Sequence, residues 1–254
     1  MLWSGALNVI KPGIFSIVGA GGKTSLLHSL CREWKEEGNP FLLTSTTKMF
    51  LNQVEDFNPV LSQRYETGIE EVKRAITTHG LAAWFEKVRA DKVVGISPHW
   101  VDRAVSSGAI STAFVEADGA QQRLIKAPGR HEPRVPLETT LTLGVLNINA
   151  IGLPLSERIV HRLEIVESIL NKRRGQGIEA RDLAVLAGAK TGIFSGCPGE
   201  LVLVITGGTE KNFGVWHEIV GYLPGCNEAG ISRIVLAQGV GSYMKPVLQR
   251  GVAD

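Results

Sequence analysis

The chain is poor in cysteine, and the three it has are badly placed to hold anything. Cys31, Cys197 and Cys226 lie far apart and are odd in number. No C-x-x-C pair exists, which argues against a zinc or iron–sulfur site and against a disulfide scaffold. His28, His79, His99 and His217 have no metal-ligand spacing either. An excess of charge of one sign is also missing: 27 Lys and Arg face 25 Asp and Glu, for a formal net charge of +2. That balance argues against a dedicated nucleic-acid or membrane-surface protein. No apolar run approaches the roughly 18 residues that a membrane span needs. Met1 to Gly5 does not open a basic segment followed by a long apolar stretch, so no signal peptide is expected. A reducing cytoplasm is the expected compartment. What is present is 44% hydrophobic and 20% charged residues over 254 positions. Such a chain can bury a sizeable core and suits one large α/β domain over residues 1–254.

Short apolar runs alternate with helical or loop segments, the pattern of a mostly parallel sheet with flanking helices. Strands are expected at 13–18, from 41, at 81–85, 92–96, 112–117, 140–148, 201–206 and 232–237. The first helix is expected over 22–35, where Leu26, Leu27, Leu30 and Trp34 return at helical spacing. Gly38-Asn39-Pro40 stops it. Further helices are expected around 68–78 and 98–105, the latter with Pro98 near its start. Segments 156–171 and 178–186 also read as helices, and over 155–190 they would form a small inserted helical lobe. The sequence holds no internal repeat and no low-complexity stretch.

The strongest motif is Gly19-Ala20-Gly21-Gly22-Lys23-Thr24-Ser25, set between the first strand and the first helix. Glycines let backbone N–H groups turn inward, and the helix start adds a dipole that favours anions. The lysine supplies a charge for β and γ phosphates, and the threonine hydroxyl can ligate Mg²⁺. The long form G-x-x-x-x-G-K-[ST] fails, because position 17 is Ile. The short form G-x-x-G-K-[ST] is met by Gly19, Gly22, Lys23 and Thr24, and it is similar to the phosphate loop of the Mur-type ATP-dependent ligases.

Three further segments read with it. Phe114-Val115-Glu116-Ala117-Asp118-Gly119 ends a buried strand in two carboxylates, which period-2 alternation puts on one side. Glu116 or Asp118 is expected to hold Mg²⁺ with Thr24, or to position water. Thr44-Ser45-Thr46-Thr47-Lys48-Met49 offers hydroxyls and a cation for phosphate oxygens. From Arg123 to Pro133, cations mix with Glu132 and prolines in a loop suited to clamp an anionic substrate. Lys48 or Lys126 is the candidate to stabilise charge on a transferred phosphoryl group.

At these residues the chain resembles the YqeC family of selenium-dependent hydroxylase accessory or selenium cofactor biosynthesis proteins. The matching pieces are GAGGKTS at 19–25, TSTTKM at 44–49, VEADGA at 115–120, KAP at 126–128 and EP at 132–133. Leu155-Ser156-Glu157 with His161-Arg162 adds a weaker match, so the likeness runs from about residue 13 to 165. The resemblance implies a cytoplasmic P-loop-type NTP-binding protein working in the maturation of selenium-dependent molybdenum hydroxylases. It supplies a setting rather than a reaction. His161 and Arg162 are candidates to face the site. A guanine-reading N-K-x-D is missing after the 201–206 strand, where Gly207-Gly208-Thr209-Glu210 stands instead. ATP is therefore the expected nucleotide, with GTP as the alternative. Two functions stay open: an NTP-hydrolysing or phosphoryl-transferring enzyme, with a small anionic acceptor, or a non-catalytic nucleotide switch or chaperone for a client molybdenum hydroxylase.

Overall fold

The computed structural model describes residues 1–8 and 12–252 of the chain; Val9 to Lys11 and Ala253-Asp254 lie outside the described residues. The first half runs α1 (Trp3–Leu7), β1 (Ile14–Gly19), α2 (Lys23–Glu36), β2 (Phe41–Ser45), β3 (Lys48–Phe50) and β4 (Pro59–Leu61). Then come α3 (Tyr65–His79), β5 (Leu81–Phe85), β6 (Lys87–Arg89), β7 (Lys92–Val94), α4 (Pro98–Ser106) and β8 (Ala113–Glu116). The second half holds β9 (Ile125–Lys126), β10 (Thr139–Asn147), β11 (Val160–His161), α5 (Leu163–Leu170) and α6 (Ala180–Gly188). It ends with β12 (Glu200–Thr206), α7 (Phe213–Tyr222), β13 (Arg233–Gln238) and β14 (Lys245–Gly251).

Among the described residues, nine strands form one sheet in the order β14-β13-β12-β10-β1-β8-β2-β5-β4. Every pairing in it is parallel except β13 with β14. Its central strands are apolar on both sides, as a sheet covered on both faces requires. On β1, Ile14 and Val18 face one core while Phe15 and Ile17 face the other. Leu26, Leu27 and Leu30 of α2, with Trp3 and Leu7 of α1, cover the second face. Apolar residues of α3 to α7 cover the first. The α/β class with a large, mostly parallel sheet and flanking helices therefore holds.

Two local expectations fail for non-local reasons. Lys92–Val94 does not join the large sheet; it pairs antiparallel with β3 and β6 in a separate three-stranded sheet. Periodicity identifies an extended segment and says nothing of which strand it will meet. The helix read from 156 begins only at Leu163. Ahead of it Val160-His161 forms a short strand on β9, and Arg162 takes a left-handed backbone (φ +63°), which interrupts any helix there. Helix α7, helix α1 and the antiparallel edge strand β14 add to the elements expected from the sequence.

Candidate functional site

Five neighbouring strands, in the order β12-β10-β1-β8-β2, end at one rim of the sheet. Their last residues there are Thr206, Asn147, Gly19, Glu116 and Ser45. Crevices outside the carboxyl ends of parallel strands are where open α/β sheets bind ligands. A cavity of about 980 Å³ opens at this rim.

The glycine-rich turn forms its floor. Gly19 has φ +93°, and a Cβ there would stand 2.2 Å from the Val145 carbonyl oxygen. Gly21 has φ +78°, and a Cβ would come within 2.4 Å of the Leu124 carbonyl oxygen. Only glycine fits both the backbone and the space. Helix α2 then starts at Lys23, so its first N–H groups point into the cavity. Asn147 Nδ2 and Thr206 Oγ1 both donate to the Gly21 carbonyl oxygen, at 2.9 and 2.5 Å, pinning the loop to the next two strands. Gly21→Ala is expected to displace the turn and abolish ligand binding at the loop while leaving the fold intact. Far-ultraviolet circular dichroism with a nucleotide titration checks this; wild-type affinity in that variant would remove the loop from the site.

Lys23 is 5% exposed and lies inside the turn. Its Nζ donates to the Gly19 carbonyl oxygen at 2.8 Å and lies 3.1 Å from Asp118 Oδ1 and 3.9 Å from Glu116 Oε1. The Asp118 contact is an attraction of charges without hydrogen-bond alignment. Burial alone would lower the Lys23 pKa, but Asp118 and then Glu116 outweigh it and raise it, so the ammonium stays charged. Thr24 Oγ1 donates to Glu116 Oε2 at 2.9 Å. Burial pushes the Glu116 carboxyl above the usual range, against the pull of Lys23 and Thr24.

The two carboxylates expected on one side do share it, but they differ in access. Strand β8 ends at Glu116, and Asp118 follows in the loop. Glu116 lines the cavity together with Lys23 and Thr24. Asp118 is 1% exposed and sits behind them, accepting from the Gly19 N–H at 3.0 Å.

Lys126 is fully buried on β9. Its Nζ donates to the Gly119 carbonyl oxygen at 2.6 Å and to Glu132 Oε2 at 3.0 Å, and lies 2.9 Å from Asp118 Oδ2. All its donors face protein. Glu132 in turn accepts from Arg162 Nη2 at 2.8 Å. Burial works against the Glu132 carboxylate, yet Lys126 and Arg162 hold its pKa below the usual range. The outcome is an alternating chain of charges, Lys23–Asp118–Lys126–Glu132–Arg162, running from the loop to the start of α5. His161 pairs through its backbone with Lys126 on β9. Burial, then Lys126 and Arg162, lower its pKa.

Lys48, exposed on β3, lines the cavity with Thr46 and Thr47. Thr44 and Ser45 serve the sheet instead: Thr44 Oγ1 donates to the Trp84 carbonyl oxygen and Ser45 Oγ to that of Glu116. Of the 123–133 loop, Arg123, Leu124 and Glu132 reach the cavity wall. Sequence reading did not single out Asn147, Thr206, Phe50, Lys92 or Arg134. For the first two, a polar residue closing an apolar run (Leu143–Leu146 before Asn147, Leu201–Ile205 before Thr206) is the signal available.

A family model described as YqeC protein matches residues 15–164. The chain belongs to the YqeC family. The uncharacterized protein YqeC of Escherichia coli (strain K12) is 30% identical over 190 residues, covering 74% of this chain and 72% of that protein. The matched span takes in every member of the charge chain, from Lys23 to Arg162, and stops short of Thr206. Among solved structures, chloroplast FtsY from Physcomitrella patens aligns at 15% identity and a TM-score of 0.42, over 94% of this chain. It is covered over 63% of its own length, so this chain spans less than two thirds of that structure.

Proposed function

We propose that this YqeC-family chain binds a nucleoside triphosphate with Mg²⁺ at the 19–25 loop and transfers or hydrolyses its γ-phosphate. The observation that carries the reading is Lys23 at the start of α2, with Nζ 3.1 Å from Asp118 and 3.9 Å from Glu116, beside Thr24 on the wall of one cavity. ATP is the expected nucleotide and GTP the alternative.

Phosphoryl transfer asks a protein mainly for positioning and compensating charge. Backbone N–H groups from Gly21 to Ser25 hold the β and γ phosphates. Lys23 exchanges the Gly19 carbonyl oxygen for phosphate oxygens, while Asp118 keeps it oriented. Thr24 and Glu116 present hard oxygen donors side by side, a set that fits Mg²⁺ with one or two protein ligands plus water and phosphate. Mg²⁺ bound there would neutralise charge developing on the β–γ bridge. Glu116 is therefore the metal carboxylate, and Asp118 positions Lys23 and Gly19. Lys48, on the open wall, meets the transferred group. Lys126 stands behind Asp118, where it holds the site together. In the step itself, an acceptor oxygen bonds to the γ phosphorus as the bond to the β–γ oxygen breaks. That oxygen keeps the electron pair and leaves on the nucleoside diphosphate, and where the acceptor is water or a hydroxyl its proton passes to solvent.

The biological setting is cytoplasmic maturation of selenium-dependent molybdenum hydroxylases, supported by the family alone. Among the described residues no helix is long and apolar enough to cross a membrane. Burial raises all three thiols, Cys197 to about 12, so none offers the thiolate that direct handling of a soft element would use. A nucleotide switch acting on a client hydroxylase uses the same loop and differs only in lacking turnover.

Glu116→Gln separates the roles. Mg²⁺-dependent phosphate release is expected to fall at least tenfold, while Mg²⁺-free nucleotide affinity changes less than threefold. Unchanged Mg²⁺-dependent turnover would take Glu116 out of the metal site.

A further inference from the structure

One wall of the cavity carries cations that neither the loop nor the charge chain uses. It is the three-stranded sheet β3-β7-β6. Register pairs Lys48 with Val94 and Phe50 with Lys92; on the other side of β7 it pairs Lys87 with Val94 and Arg89 with Lys92. Since side chains alternate along a strand, Lys48, Phe50, Lys87, Arg89 and Lys92 share one face. Met49 and Val93 occupy the opposite face and are buried in the core beneath. The sheet is tied to the end of β2, with the Gly95 N–H donating to the Thr47 carbonyl oxygen and Ile96 N–H to that of Ser45. It is thus a fixed wall.

Lys48, Phe50 and Lys92 line the cavity, and Arg134 joins them from the loop before β10. Lys92 Nζ lies 4.5 Å from the centre of the Phe50 ring. Among the described residues neither Lys48, Lys92 nor Arg134 has a carboxylate within 4 Å. The acids of the cavity are engaged elsewhere, Glu116 by Thr24 and Glu132 by Lys126 and Arg162. Arg134 Nη1 donates to the Thr46 carbonyl oxygen at 3.4 Å and Lys92 lies over the Phe50 ring, so none of the three charges is neutralised. Cations facing a cavity without a carboxylate partner attract an anion, and an aromatic ring beside them favours a flat group. The volume, about 980 Å³, stands at the upper end of the roughly 300–1,000 Å³ of ordinary ligand cavities. That leaves room for a second molecule beside the phosphates of a nucleotide.

We infer that the β3-β7 wall is the subsite for the second substrate, a small planar anion bearing a phosphate or carboxylate. Lys48, Lys92 and Arg134 take its charge, and Phe50 takes its flat portion. This rests on the phosphoryl-transfer reading, since it supplies the acceptor for that reaction. It replaces the 123–133 loop as the anion clamp, because Lys126 is spent inside the protein.

Pyridoxal 5′-phosphate is a suitable probe, being flat, anionic and able to condense with a lysine amine, losing water to give an imine that borohydride traps. The full-length protein is labelled with ADP and Mg²⁺ saturating the loop, and labelled lysines are mapped by peptide mass spectrometry. Lys48 and Lys92 are expected to label about tenfold faster than exposed Lys35 and Lys211, with the preference lost when pyridoxal replaces its phosphate. Phenyl phosphate and benzoate as competitors tell a phosphate ligand from a carboxylate one. Lys92→Ala should slow labelling at Lys48 while leaving nucleotide affinity, measured calorimetrically in the same samples, within twofold. Labelling no faster than at Lys35 and Lys211, or equal labelling by pyridoxal, overturns the proposal. So does loss of labelling on adding ADP, which would put the nucleotide itself on this wall. Failure of nucleotide binding in the calorimeter is a separate result: it removes the phosphoryl-transfer reading, and the acceptor site falls with it.

Discussion

Lys126→Met is expected to lower the free energy of unfolding by about 3–5 kcal/mol, the loss found when one partner of a buried ion pair is removed. For a chain of this size that corresponds to a fall of roughly 6–20 °C in Tm. The reason is the position of Lys126 in the charge chain. It is fully buried, and it stands between Asp118 and Glu132. The methionine stem fills most of the space, so the change isolates the charge from the packing. Asp118 keeps the Gly19 N–H and Lys23, and Glu132 keeps Arg162, but neither arrangement is balanced any longer. Lys48→Met provides the contrast, because Lys48 is exposed and forms no ion pair among the described residues. Its effect should stay within about 0.5 kcal/mol. Urea unfolding of both variants checks the pair; a loss below about 1 kcal/mol for Lys126→Met would mean that the chain of charges does not hold the loop.

Lys23→Ala is expected to weaken nucleotide binding roughly 10- to 100-fold. A hydrogen bond to a charged group contributes about 1.5–3 kcal/mol, and each 1.4 kcal/mol is a factor of ten in affinity. The fold should survive this change better than loss of Lys126. Asp118 still accepts from Gly19 and faces Lys126, and Glu116 opens to the cavity, where water and Thr24 can reach it. A Tm close to that of wild type alongside the loss of affinity is therefore the expected pattern. A loss of less than threefold would count against the loop as the phosphate site.

The glycine-rich strand-to-helix turn is legible in the sequence because its determinants are contiguous. Gly19, Gly21, Gly22, Lys23 and Thr24 fall in one short stretch between an apolar strand and an amphipathic helix, and the backbone makes that turn at those positions. The alternation that put Glu116 and Asp118 on one side also survives in the structure, although the strand stops at Glu116. What the sequence does not show is what a charged side chain faces. Lys48 and Lys126 read as equivalent cations; one is open to the cavity and the other is enclosed by Asp118, Glu132 and the Gly119 carbonyl. Strand β9, which buries Lys126, is two residues long and gives no periodic signal. Asn147 and Thr206 meet Gly21 across sequence separations of 126 and 185 residues, through the parallel order of the sheet. The face shared by Lys48 and Lys92 likewise depends on the pairing of β3 with β7.

The proposed function rests on a nucleotide held by the 19–25 loop with Mg²⁺ beside it. The most direct measurement is calorimetric titration of ATP and GTP into the wild-type protein, with and without Mg²⁺, following phosphate release in the same samples and using Lys23→Ala as the reference. Saturable binding that tightens with Mg²⁺ and weakens at least tenfold in Lys23→Ala is the predicted result, with phosphate release separating an enzyme from a switch. Absence of binding by either nucleotide, or binding indifferent to Lys23, would contradict it.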